Sequence, residues 1–315
     1  MNKKYLYKKI ISRLLVLAFI LIVAAACKPI KKEDEIGSKK KVTVTTSFLY
    51  DMVRQLLDDE VDLKLIIPFG EDPHLYAAKP KDLKKIQEAD LVLYHGLNFE
   101  GKLIKILEKK GFSITETFDL NKLSKLKGDG KEVIDPHFWF DIGLYKQALD
   151  QLARRLEDLL PDQKELIETN LKAYHERLDQ LDKNNRKLLQ EIPETKRYLI
   201  TPHDAFNYFS KAYNFKVLAP QGVSSNSEVS NKDLEETANF IVKHEIKAIF
   251  SESTTNPERM QKLQEICKSK GFDVKIVDGK DNELFSDSLA GLGDKGSSYI
   301  DMYQHNVILI NDNLK

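Results

Sequence analysis

The chain has 315 residues, of which 42% are apolar, 31% charged and 9% aromatic; at about 150 residues per domain this corresponds to roughly two domains. Its 14 glycines and 10 prolines are too few for a collagen-like or disordered chain, and the even spread of charge excludes a multi-span membrane protein. Lys plus Arg and Asp plus Glu both number 49, but the first 26 residues carry five cations and no acid, so the remainder holds 44 basic against 49 acidic side chains, a balance of −5. A weakly acidic body without basic clusters argues against nucleic acid as a partner.

Residues 1–13 are cationic, and residues 14–26 form an uninterrupted apolar run of 13. Spanning a hydrocarbon core takes about 20 residues, so this pattern predicts a signal peptide over 1–26. The run ends in Ala24-Ala25-Ala26-Cys27. Small residues before a Cys resemble a bacterial lipobox, which implies acylation of Cys27 and a membrane anchor; a lipobox usually has Leu where Ala24 stands, and an ordinary signal peptide with an incidental Cys is the alternative. Two or three acyl chains anchor stably where one is marginal. Residues 27–40 are charged and lack apolar periodicity, so they read as a tether. Cys267 is the only other cysteine; with Cys27 lipidated, no internal disulfide remains, and Cys267 reads as a small buried helix residue beside Leu263 and Ile266.

From residue 42 short apolar runs alternate with helical patterns. Strands are predicted over 42–46, 63–67, 91–94 and 113–118, and again over 198–201, 217–219, 248–251 and 274–277. Helical spacing falls on 49–57, 81–88, 103–110, 233–245 and 258–270. Such alternation implies an α/β fold with parallel sheets covered on both faces. The middle differs: residues 162–191 lack Gly and Pro and carry apolar positions at Leu166, Leu171, Tyr174, Leu178, Leu181 and Leu188. A helix of that length runs about 45 Å, which fits a rigid spine joining two Rossmann-like lobes with limited motion; two helices broken near Lys183-Asn184-Asn185 are the alternative. The expected organisation is a first lobe over 41–160, a linking helix over 161–192 and a second lobe over 193–315. Tyr299, Tyr303, Val307, Ile310 and Leu314 have the spacing of a C-terminal helix that packs back.

Seven histidines and ten prolines would give about 0.2 Pro-His pairs by chance. There are three, in Asp72-Pro73-His74-Leu75-Tyr76, Asp135-Pro136-His137-Phe138-Trp139 and Thr201-Pro202-His203-Asp204-Ala205-Phe206. Proline fixes its own φ and pushes the preceding residue to extended geometry, so each His is presented with little freedom left to lose. No HExxH, CxxC or HxH pattern occurs, so metal ligands must come from distant segments: His74 and His137 from the first lobe, His203 from the second. Asp287, in a Gly-flanked loop after the last strand, is the best fourth candidate; three imidazoles and a carboxylate suit a first-row divalent ion. Asp72 and Asp135 are placed to orient the rings as acceptors behind them. His95, after a strand end, reads as a local hydrogen-bonding residue, with lining of the cleft as the alternative, and His175, His244 and His305 read as members of solvated helix faces.

These residues resemble a known family, the metal-binding lipoproteins of bacterial ABC importers: the zinc/manganese, TroA-like (cluster A-I) solute-binding proteins. The likeness runs through the Pro-His segments and the long helix. It continues through His203-Asp204-Ala205-Phe206-Asn207-Tyr208-Phe209, Gly222-Val223-Ser224 with Glu228 and Ser230, Ile249-Phe250-Ser251-Glu252-Ser253, Asp287-Ser288-Leu289 and Tyr299-Ile300-Asp301-Met302. It implies two α/β lobes with one metal between them, and its ligands fall on His74, His137, His203 and Asp287. In this family His at the third position goes with zinc or mixed zinc/manganese binding, Glu there with manganese. Dedicated zinc importers often carry a His-rich loop before the second ligand; residues 121–134 here contain none, which keeps manganese and iron open. The family's usual Glu after the aromatic is also replaced, Tyr76 being followed by Ala77, Ala78 and Lys79. The expectation is therefore a non-enzymatic, monomeric, lipid-anchored extracytoplasmic receptor. It captures one Zn²⁺ or Mn²⁺ as cargo and hands it to an ABC permease driven by its ATPase. A surface adhesin and a zinc-dependent hydrolase are the alternatives. Imidazole ligands bind deprotonated, so affinity should fall as pH drops through the histidine range.

Overall fold

A computed structural model describes residues 39–128, 131–222 and 229–315. The expected signal peptide, Cys27, nearly all of the expected tether, and Val223, Ser224 and Glu228 lie outside the described residues.

The first lobe begins with β1 (Lys41–Val44), whose Val42, Thr43 and Val44 are all buried. Thr46 caps α1 (Ser47–Leu57) by accepting from the Leu49 N–H, relieving one of the unpaired donors of the first turn. Then follow β2 (Asp62–Leu65), α2 (Pro80–Glu88), β3 (Leu91–Tyr94), α3 (Ile104–Lys110) and β4 (Phe112–Ser113). The four strands form one parallel sheet in the order β2-β1-β3-β4. The strand expected over 113–118 is cut to two residues because the chain turns after Ser113. The segment 121–134 contains an antiparallel hairpin, β5 (Lys125–Gly128) with β6 (Lys131–Ile134). Asp141 caps α4 (Ile142–Leu159).

The long central helix is α5 (Lys164–Leu189), 26 residues and about 39 Å. It is unbroken at 183–185, and a 3-10 turn at Pro161–Gln163 precedes it. The second lobe holds β7 (Tyr198–Ile200), α6 (Asn207–Tyr213), β8 (Lys216–Leu218), α7 (Asn231–Lys243), β9 (Ala248–Phe250), α8 (Glu258–Ser269), β10 (Lys275–Val277) and α9 (Tyr299–Leu314). Strands β7 and β8 pair in parallel, as do β9 and β10, and β7 lies against β9. Two α/β lobes with parallel sheets joined by a long helix are thus the observed architecture.

Helix α5 packs on α1 and α4 on one side and on α9 on the other. One apolar core therefore runs through both lobes, from Val42 to Leu314. Tyr145 and Tyr299 stack with centroids 3.6 Å apart, and Phe140 stacks on Phe206 at 4.5 Å. Tyr299 and Tyr303 donate their hydroxyls to the Trp139 and Phe140 carbonyls, at 2.6 and 2.7 Å. An interface this buried and this well paired resists lobe displacement, because aromatic packing and buried hydrogen bonds would both be lost. Among the described residues no helix is long and apolar enough to cross a membrane.

Candidate metal centre

The four candidates arrive from four loops, with the three histidines held in different ways. His74 follows β2 in a loop where Asp72 Oδ1 accepts the His74 backbone N–H at 2.8 Å. The Phe99 ring meets its imidazole edge-on, centroids 4.9 Å apart. Gly101, at φ +44°, passes so close that a Cβ there would sit 2.6 Å from the His74 carbonyl oxygen, which explains why glycine occupies that position.

His137 stands before a short 3-10 turn at Phe138–Phe140. Asp135 Oδ1 accepts both its backbone N–H, at 3.0 Å, and its ring Nδ1, at 2.7 Å. That pairing assigns the proton to Nδ1 and leaves Nε2 free to donate electrons forward. His203 lies past the end of β7, bridged to Gln221, and Thr201 Oγ1 donates to its carbonyl. Its Nδ1 lies 2.5 Å from Glu252 Oε2, while Glu252 Oε1 accepts the His203 backbone N–H at 3.4 Å. Ser286 Oγ donates to Glu252 Oε2 at 2.6 Å.

Asp287 closes the group: its Oδ1 is 3.3 Å from His137 Nε2, and its Oδ2 is 3.2 Å from His203 Nε2 and 3.9 Å from His74 Nε2. His74 Nε2 and His137 Nε2 are 3.3 Å apart, and one ligand atom from each of the four lies within 4.8 Å of all the others. Bonds of 2.0–2.1 Å in a tetrahedron give edges of about 3.3 Å, so the cage has the size of a first-row divalent ion. His137, His203 and Asp287 are 0% exposed and His74 is 8% exposed.

The electrostatics fit the same ion. Asp135, Glu252 and Asp287 are three buried carboxylates facing imidazoles, and neither oxygen of Asp287 accepts a hydrogen bond. Buried carboxylates without donors are costly unless a cation faces them. In the metal-free protein, protons fill that role. Burial works against the charge on His137, but Asp135 and Asp287 outweigh it and hold the ring up at about 9. His203 is likewise raised, burial being overcome by Glu252 and Asp287. His74 has no such support: burial takes it down to about 3. Burial raises Asp287, yet His203, His137 and His74 together hold it well below the carboxylate range.

The structure thus brings His74, His137, His203 and Asp287 together, sets Asp135 behind His137, and has Asp72 accepting the His74 backbone N–H. The sequence reading missed the role of Glu252, whose available signal was an acid directly beyond a buried strand. His95 departs from the expected local bond: its Nε2 meets Thr46 Oγ1, 49 positions away, at 2.8 Å, and its ring packs against Phe99, Phe138 and Trp139. His305 corrects the reading: it is buried and its Nε2 meets the Glu283 carbonyl at 2.9 Å, because α9 turns that face onto the loop carrying Asp287.

A buried three-imidazole, one-carboxylate cage between two α/β lobes joined by a single long helix is the design of a metal-capturing binding protein. The chain belongs to the family described as "Zinc-uptake complex component A periplasmic", which matches residues 42–313. It is 37% identical over 280 residues to the manganese-binding lipoprotein MntA of Bacillus subtilis, covering 87% of this chain and 90% of that protein. Against the zinc-binding protein TroA of Treponema pallidum it is 34% identical over 281 residues, 88% and 89% of the two chains. The solved structure of that TroA superposes with a TM-score of 0.82 over 88% of this chain and 99% of that one. Another solved TroA, studied for its metal-binding specificity, has 56% identity and a TM-score of 0.87, covering 88% of this chain and 100% of that one.

Proposed function

We propose that this protein is an extracytoplasmic receptor of an ABC importer, which captures one divalent transition-metal ion between its lobes and delivers it to the membrane permease. His74, His137, His203 and Asp287 are the ligands in this reading, and Asp135 and Glu252 orient two of the imidazoles. The observation that carries it is the convergence of four donor atoms within 4.8 Å, Asp287 having no hydrogen bond of its own. The relatives named for manganese and for zinc support a cargo of Zn²⁺ or Mn²⁺, and a set of three nitrogens and a carboxylate accepts both. Four protein ligands directed at one point favour holding an ion over activating a water on it. The relatives named as lipoproteins support acylation at Cys27 after removal of residues 1–26, with 27–40 as the tether. Lobes 41–160 and 193–315 are joined by 161–192.

Chelator-stripped mature protein carrying Cys27→Ser tests the reading by titration with Zn²⁺ and with Mn²⁺ while stoichiometry and melting temperature are followed. One equivalent of either ion, raising the melting temperature, is expected. No response to both ions would overturn the receptor reading.

A further inference from the structure

The segment that carries Asp287 belongs to the second lobe in sequence but is fastened to the first. At its start it is held by its own lobe: the Leu284 N–H donates to the Ser251 carbonyl at 2.9 Å, and Asn306 of α9 clamps Phe285 through both its N–H and its carbonyl, at 2.9 and 2.7 Å. Ser286 is shared between the lobes, its Oγ donating to Glu252 Oε2 at 2.6 Å in its own lobe while its carbonyl faces the first. Trp139 Nε1 donates to the Ser286 carbonyl at 2.9 Å, and the Leu289 N–H donates to Ser47 Oγ at 2.8 Å. Ser288 Oγ accepts the Gly70 N–H at 2.8 Å and meets Ser47 Oγ at 3.1 Å. Asp287 sits between these attachments.

The Ser288 hydroxyl has a consistent proton assignment. Ser47, which accepts from Leu289, donates to Ser288; Ser288 accepts from Gly70 and donates to the Leu289 carbonyl at 3.1 Å. Both serines are buried, so water does not replace a lost partner without entering the interface. Gly70 stands at φ +76° four residues before His74 in the same loop. A single hydroxyl therefore joins the loop of one ligand to the loop of another across the lobe boundary.

We propose that Ser288, with Ser47, is a positioning residue for metal retention: it locks the Asp287 loop to the His74 loop, so that the ion leaves only when this node opens. The inference rests on the receptor reading above. Opening the node moves Asp287 and His74 apart together, and its loss should act on release rather than on capture, because the incoming ion meets the same donors. Removal of such orienting contacts around metal ligands changes affinity by about 10- to 100-fold.

The test is release of Zn²⁺ from the loaded protein into excess chromophoric chelator, followed by stopped flow, alongside the association rate and the melting temperature of the metal-free form. Ser288→Ala and Ser47→Ala should each release zinc about tenfold faster with association unchanged, and Ser288→Thr, which keeps the hydroxyl, should restore slow release. Unchanged release in both alanine variants would overturn the inference, as would faster release that Thr fails to restore. Wild-type protein that retains no zinc would instead overturn the receptor reading and this inference with it.

Discussion

Asp51 ties both lobes to the central helix, and its removal should be felt throughout the molecule. Its carboxylate is buried in α1; Oδ2 accepts the Tyr299 N–H at the start of α9, at 3.0 Å, and the Tyr174 hydroxyl from α5, at 3.2 Å. Oδ1 accepts Gln55 Nε2 at 3.0 Å. Burial pushes the Asp51 pKa up against these donors, so the group is retained at a desolvation cost. Asp51→Ala leaves two buried donors without an acceptor, at about 1–3 kcal/mol each, while relief of the buried charge offsets part of that. A net loss of about 3 kcal/mol follows, which for a chain of this size lowers the melting temperature by about 5 °C. Asp51→Asn keeps one acceptor oxygen and should lose about a third as much. Calorimetry of the chelator-stripped wild type and both variants measures this directly. A melting temperature for Asp51→Ala within 2 °C of wild type would refute the assignment of Asp51 as a structural tie between the lobes.

Two further outcomes are expected. Glu100 is fully buried, and burial raises it to about 7 despite donors from Thr45 Oγ1, the His95 N–H and the Gly96 N–H. An acid whose folded pKa exceeds its unfolded value contributes stability that is fully present below the unfolded pKa and lost as pH rises through the folded one, so the stability of metal-free wild type relative to Glu100→Gln should fall by about 3 kcal/mol between pH 4.5 and 7.5. Parallel urea unfolding at several pH values checks this, and a pH-independent difference would contradict it. Glu252→Ala removes the carboxylate beside His203 Nδ1 and should weaken zinc binding by about 10- to 100-fold, read by competition with a chelator of known affinity; an unchanged constant would remove Glu252 from the site.

Much of this was legible before any coordinates. The three Pro-His pairs singled out His74, His137 and His203, which the structure brings together, because proline restricts the backbone locally, and local restriction leaves a local trace. The central helix was equally readable, since about 30 residues without Gly or Pro and with apolar positions at helical spacing admit few other structures. What escaped were contacts between distant segments. Glu252 supports a histidine 49 positions away, and Ser288 meets Ser47 across 241 positions; nothing in either neighbourhood marks the partner. His305 was misplaced for a related reason: helical periodicity indicates a face, but α9 is covered on more sides than its polar residues imply, with His305, Asn306 and Asn311 all buried. The hairpin at Lys125–Gly128 and Lys131–Ile134 escaped because strands of four residues are too short for a period-two pattern to stand out.

The central claim is that one ion sits among these four side chains, and anomalous diffraction from crystals of the Zn²⁺- or Mn²⁺-loaded protein tests it most directly. The account predicts one anomalous peak per chain between the lobes, within about 2.0–2.3 Å of the Nε2 atoms of His74, His137 and His203 and of the Asp287 carboxylate. A peak elsewhere, or one that any of these four side chains does not touch, would contradict it.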